Sequence, residues 1–137
     1  MNYEFRMDKI SFHTINQKIK SFTQLNAWKE GHKLVLILYN ICKQFPKEET
    51  FALSLQIRRS AISITSNLAE GFSRRSNKEK IYFYLISLGS TTEIQNQIYL
   101  AKDLKFISEN EFMEIAKQTI IVHKLVNGLI KSTKILK

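Results

Sequence analysis

The sequence predicts an all-α protein, an antiparallel up-down-up-down four-helix bundle, on three observations. Only four Gly and one Pro occur in 137 residues, too few for a sandwich or barrel, which needs turn signals every ~8–12 residues. From about Asn26 onward, apolar residues recur with the helical period. Two Ser-x-x-Glu capping boxes, Ser76 with Glu79 and Ser108 with Glu111, mark helix starts. Hydrophobic residues at 44% and charged residues at 24% are the balance of a globular chain long enough for one core.

Residues 1–22 carry sparse apolar residues and no sustained period, and are expected to be a partly ordered arm before a bundle domain at 23–137. In the first helix Trp28, Val35, Leu38 and Cys42 share one side, with Gly31 or His32 in the turn between. Pro46 ends it, because Pro lacks an N–H and biases the preceding residue away from α geometry. Glu48 and Glu49 place acids where they favour a helix N-terminus. The second helix is expected from about Glu48 to Glu70, with Gly71 as its C′ residue. The third is expected over 77–103 and the fourth over 109–134.

Two helices carry more apolar surface than one core uses. On the second, Leu53, Ile57, Ala61, Ile64 and Leu68 form a core stripe, and Phe51, Leu55, Ile62 and Ala69 form another about 140° away. On the third, Ile81, Leu85 and Leu88 take one side, Tyr82, Ile86 and Leu100 the next, and Phe83, Ile94, Ile98 and Ala101 another. A helix apolar nearly all round needs a second burial surface, so these two are expected to form a subunit interface of a symmetric homo-oligomer. A third stripe of the second helix, Gln56, Ser60, Ser63, Asn67 and Glu70, is small and uncharged until its end. Ser and Asn are mediocre in helix interiors, so the stripe serves either close helix approach with hydrogen-bonded register or a ligand or RNA groove. Gly89-Ser90 is a second close-approach spot. Glu70 and Glu93 are expected to pair with Arg58 or Arg59.

The run Gln56-Ile57-Arg58-Arg59-Ser60-Ala61-Ile62-Ser63 through Ser66-Asn67-Leu68-Ala69-Glu70-Gly71 resembles the signature of a known family. Its members are four-helix bundle proteins first noticed as reading frames inside intervening sequences of bacterial large-subunit ribosomal RNA genes. Trp28, Phe45-Pro46, Gly89-Ser90, Glu93 and Ala101 also stand where that family would have them, and the resemblance spans about 21–136. It implies a ring-shaped homopentamer. It also implies kinship with the accessory variability protein of diversity-generating retroelements, a basic pentameric barrel that binds its reverse transcriptase and nucleic acid.

The chemistry of the residues narrows the function classes. Lys and Arg number 21 against 12 Asp and Glu, a net charge of +9, which favours a polyanion such as RNA or DNA, or an acidic protein. The densest cluster is Arg58, Arg59, Arg74, Arg75, Lys78 and Lys80. Arg74 and Arg75 precede a helix N-terminus, where free N–H groups and the dipole help hold phosphate. The tail Lys131, Lys134 and Lys137 is a second basic site, or a solubilising end. The single Cys42 leaves no disulfide framework or cysteine metal site. No apolar run approaches a membrane span, and no secretory h-region opens the chain, which is expected to be cytoplasmic.

No catalytic motif emerges. His13, His32 and His123 are isolated and outside any zinc-ligand spacing. Arg6 and His13 fit the Arg-x(4–6)-His pattern of some helical-bundle ribonucleases, but lie in the arm. Neither zinc-finger spacing nor a tight helix-turn-helix points to base-specific reading. The expectation is a non-enzymatic, cofactor-free scaffold binding nucleic acid or a ribonucleoprotein, with a protein-binding adaptor and a ribonuclease as alternatives.

Overall fold

The computed structural model describes residues 19–135, which among themselves form four α-helices, two short 3-10 turns and no strand. The helices are α1 (Asn26–Cys42), α2 (Leu53–Ser73), α3 (Asn77–Asp103) and α4 (Glu109–Ile135). Each packs on two neighbours in the cyclic order α1, α2, α3, α4. Of the expected arm only Ile19 to Phe22 falls within the described residues; Arg6, His13 and Lys137 lie outside them.

Local chemistry accounts for most boundaries. Ser21 and Gln24 form a capping box at a 3-10 turn, Phe22–Gln24, that leads into α1. Ser76 Oγ accepts from the Glu79 N–H at the start of α3. At α4 the capping box is reciprocal, with Glu111 N–H donating to Ser108 Oγ and Ser108 N–H to Glu111 Oε1. That second bond, followed by one from the Gln44 side chain, holds the Glu111 carboxyl below its ordinary value.

Two boundaries differ from the sequence expectation. Helix α2 starts at Leu53 rather than Glu48, because Lys47–Glu49 close a separate 3-10 turn. The Glu49 carboxylate caps the Leu53 N–H at 3.0 Å, so its acid serves the helix from outside it. Helix α2 also runs past Gly71 to Ser73, so Gly71 is an interior residue and not a C′ residue. A Cβ there would lie 2.7 Å from Tyr84 Cε1 and 3.0 Å from Phe83 Cβ, so the missing side chain is what lets α3 approach α2. Gly71→Ala is expected to destabilise the chain by about 1–3 kcal/mol through overpacking, read as a lowered chemical-denaturation midpoint.

Helix α3 ends without glycine. Lys105 takes the left-handed conformation (φ 64), while Phe106 N–H bonds to Ala101 O and Lys105 N–H to Lys102 O, the paired bonds of a Schellman motif.

The core is built from one stripe of each helix: Leu34 and Leu38, Ile57, Ala61, Ile64 and Leu68, Ile94, Ile98 and Ala101, and Ile115, Val122 and Val126. The expected stripe of α2 is therefore the observed one, with Leu53 at its half-buried end. On α3 the side of Ile94, Ile98 and Ala101 is fully buried, Ile81 and Leu88 of a second side are half-buried against the core, and hydroxyl residues complete the buried side: Tyr84, Ser87, Ser90 and Thr91. Ser87 Oγ donates to Ile64 O at 2.8 Å and Thr91 Oγ1 to Ser87 O at 3.0 Å, which satisfies both hydroxyls inside the core. Burial raises Tyr84 to about 12. A raised folded value favours the neutral phenol, so this contribution is intact below the unfolded value near 10 and is lost as pH climbs toward 12. The melting temperature is expected to fall across that window, and Tyr84→Phe to reduce the fall.

Candidate nucleic-acid interface

The sequence-level basic cluster separates into two groups in space. Arg58 and Arg59 sit on the first half of α2, while Arg74, Arg75, Lys78 and Lys80 surround the α2–α3 turn. Sixteen residues of helix between Arg58 and Arg74 amount to about 24 Å.

Half of these cations already have work within the fold. Arg74 Nη2 pairs with Glu70 Oε1 at 2.6 Å, and its guanidinium lies 4.7 Å from the centre of the Phe83 ring. Lys80 Nζ donates to Phe72 O at 2.6 Å and stacks over the Phe72 ring. Arg58 donates from Nε to Ser54 O and from Nη2 to Thr50 O. Arg59, Arg75 and Lys78 are exposed. At the turn, Arg75 and Lys78 flank the first residues of α3, whose N-terminal N–H groups add positive potential.

The carboxylates are arranged differently from expectation. Glu70 pairs with Arg74, and Glu93, which is exposed, accepts from Ser60 Oγ at 3.3 Å; no bond joins either to Arg58 or Arg59. At 100° per residue Arg58 leaves α2 roughly opposite the polar stripe, toward the carbonyls it binds. For Glu70 the cation one turn later is the near one.

The polar stripe itself lies largely along the α2–α3 seam of one chain. Ser63 and Ser90 hydroxyls are 2.7 Å apart. Asn67 Nδ2 donates to Ser63 O and Oγ, and Gln97 Nε2 donates to Ser60 Oγ. Later residues of α2 thus meet earlier residues of α3, from Ser60 against Gln97 to Gly71 against Tyr84. Gln56 remains exposed at one end of the stripe and Glu70 at the other. Gln97 Oε1 is buried without a partner. Gly89 faces open space.

Beside this seam, α3 presents apolar side chains to solvent. Tyr82 is 61% exposed and Leu85 52%, and Ile86 and Leu100 are exposed as well; Ile62 of α2 is also exposed, and Leu55 and Ala69 are half-buried. Phe51, read as part of the α2 stripe, is in the turn before the helix and is 87% exposed.

Among the described residues, no group of three His, Cys, Asp or Glu gathers as metal ligands, and no helix is long and apolar enough to cross a membrane. His32 stacks on Trp28, and His123 Nδ1 contacts Asn127 Nδ2. Cys42 is buried, which raises its thiol above the ordinary value.

The described residues form an all-helical fold of four helices with an uncovered apolar flank on α3. The chain belongs to the family described as 23S rRNA-intervening sequence protein, whose profile matches residues 23–128. A solved structure from Bacteroides thetaiotaomicron VPI-5482, a protein of unknown function from the S23 ribosomal protein family, is similar in fold. It superposes with a TM-score of 0.71 at 24% identity, covering 77% of this chain and 95% of that one. A comparison with curated proteins finds no match.

Proposed function

We propose that this protein is a non-enzymatic, cytoplasmic scaffold: antiparallel up-down-up-down bundles closed into a homo-oligomeric ring whose basic surface holds the backbone of RNA or DNA. The observation that carries the reading is the pairing of two features at one end of α3. Tyr82, Leu85 and Ile86 form an uncovered apolar flank, and Arg75 and Lys78 are exposed cations immediately before it. A flank of this kind is suited to another subunit, and closure around a ring repeats the cation pair once per subunit, adding avidity to individually weak phosphate contacts.

The five-subunit ring comes from the resemblance of the Gln56–Gly71 run, and the apolar flank supports assembly without setting the number. The net charge of +9 supports a polyanion in preference to an acidic protein, because phosphate binding needs no shaped partner surface. A nucleic-acid enzyme such as a reverse transcriptase is a further partner suggested by the same resemblance.

The test is retention of RNA and DNA at low ionic strength by fluorescence anisotropy. Arg75→Glu with Lys78→Glu leaves the Arg74–Glu70 pair in place and is expected to abolish retention. In the parent protein the logarithm of affinity should fall linearly with that of salt, by about 0.9 per phosphate contact on duplex. A protein-binding adaptor would instead keep its cellular complex after nuclease treatment and show no such slope.

A further inference from the structure

A cleft of about 340 Å³ opens where the end of α1 meets the turn before α2, lined by Tyr39, Cys42, Lys43, Phe45, Thr50 and Arg58 among others. That volume is within the ~300–1,000 Å³ range of sites for small ligands. Its charged lining is entirely basic, comprising Lys43, Lys47 and Arg58. The nearby Glu49 carboxylate is engaged with the Leu53 N–H. Arg58 is held by two main-chain carbonyls, at 3.2 Å and 3.0 Å, so its guanidinium is oriented before any ligand arrives. Among the described residues, no acceptor is bonded to its Nη1. No carboxylate is among the lining residues, so an anion seated between the three cations would offset their mutual repulsion.

The rim adds a second kind of chemistry. Tyr39, a lining residue of the cleft, is 39% exposed. Cations and an exposed aromatic ring in one cleft are the elements of a single-strand platform, where a phosphate meets the charge and an unpaired base stacks on the ring.

We propose that this cleft seats one nucleotide unit of a single-stranded nucleic acid, its phosphate on Arg58, Lys43 and Lys47 and its base on Tyr39. The proposal rests on the nucleic-acid reading above and deepens it, adding a cleft at the opposite end of α2 from the α2–α3 turn. It divides the surface into two functions: charge at the turn attracts any backbone, and the cleft selects strands with unpaired bases.

The experiment measures binding of a labelled short oligothymidylate, and of a duplex of equal length, to the full chain at low salt. Tyr39→Ala is expected to weaken the single strand about tenfold, within the range of one base–aromatic stack, and to leave the duplex unchanged. Lys43→Glu with Lys47→Glu, both exposed, should weaken single-strand binding by at least as much. Circular dichroism and sedimentation of each variant separate these effects from misfolding or altered assembly. Single-strand affinity unchanged in both variants would overturn the cleft while leaving the wider reading intact. A Tyr39→Ala protein altered only in mass would assign the ring to a subunit contact and overturn the cleft as well. A parent protein that retains neither strand would overturn both readings together.

Discussion

Tyr82→Glu combined with Ile86→Glu is expected to reduce the proposed assembly to single chains without loss of helicity. Both side chains are already exposed in the isolated subunit, so two carboxylates there cost little while the subunit is alone. Against a second subunit the same carboxylates would be desolvated without partners, at several kcal/mol each. Two such penalties per interface exceed what a contact of ordinary size retains as net affinity after its entropic costs. Circular dichroism should be unchanged and the sedimentation coefficient should fall. Retention of nucleic acid should weaken with it, because the cation pair at Arg75 and Lys78 would act once per particle.

The second large effect belongs to the core. Ile64→Ala is expected to destabilise the subunit by about 2–5 kcal/mol, read as a lower midpoint in chemical denaturation. Ile64 is fully buried where three helices meet. Its Cγ2 would lie 3.3 Å from a Cβ built on Gly31 of α1, and its carbonyl accepts the Ser87 hydroxyl of α3. Neighbours held by that bond and by the close packing at Gly31 cannot readily collapse into the space left. The loss should therefore include a cavity cost beyond the removed methylene and methyl groups. Ile62→Ala, two residues earlier and exposed, is expected to leave the midpoint within about 0.5 kcal/mol of the parent.

How much of this was legible follows from the range over which each cause acts. The starts of α3 and α4 are readable because Ser76 and Ser108 cap N–H groups only three residues away. The core stripe of α2 is readable because helical periodicity is local. The start of α2 is not, since Glu48 and Glu49 carry the same acidic signal whether they lie inside the helix or cap it from the preceding turn. Gly71 resembles a helix terminator in the sequence, but its cause is the Tyr84 ring thirteen positions later in the chain. The left-handed Lys105 carries no glycine to announce it. On α3 three apolar sides compete for the core, and the buried one is completed by Tyr84, Ser87 and Thr91, which composition alone assigns to no side.

The candidate site divides in the same way. Which residues are basic is plain from the sequence, but which remain available depends on contacts across elements. Arg74 and Lys80 are engaged by Glu70, Phe83 and Phe72 around the turn. Arg58 is turned toward the carbonyls of Thr50 and Ser54, away from the carboxylates it was expected to meet. The cleft that Arg58 lines requires Lys43 from the residues after α1 and Thr50 from the turn before α2. No helical period connects those positions, and so nothing in the pattern of the chain marks them as one site.

The account depends most on assembly, because both the repeated cation pair and the burial of the α3 flank require it. Sedimentation equilibrium of the full chain at micromolar concentration tests this directly. The expected result is a single species at a whole multiple of the 16.1 kDa chain mass, five under the ring reading, reduced to one by Tyr82→Glu with Ile86→Glu. A parent protein sedimenting at the mass of one chain would contradict it.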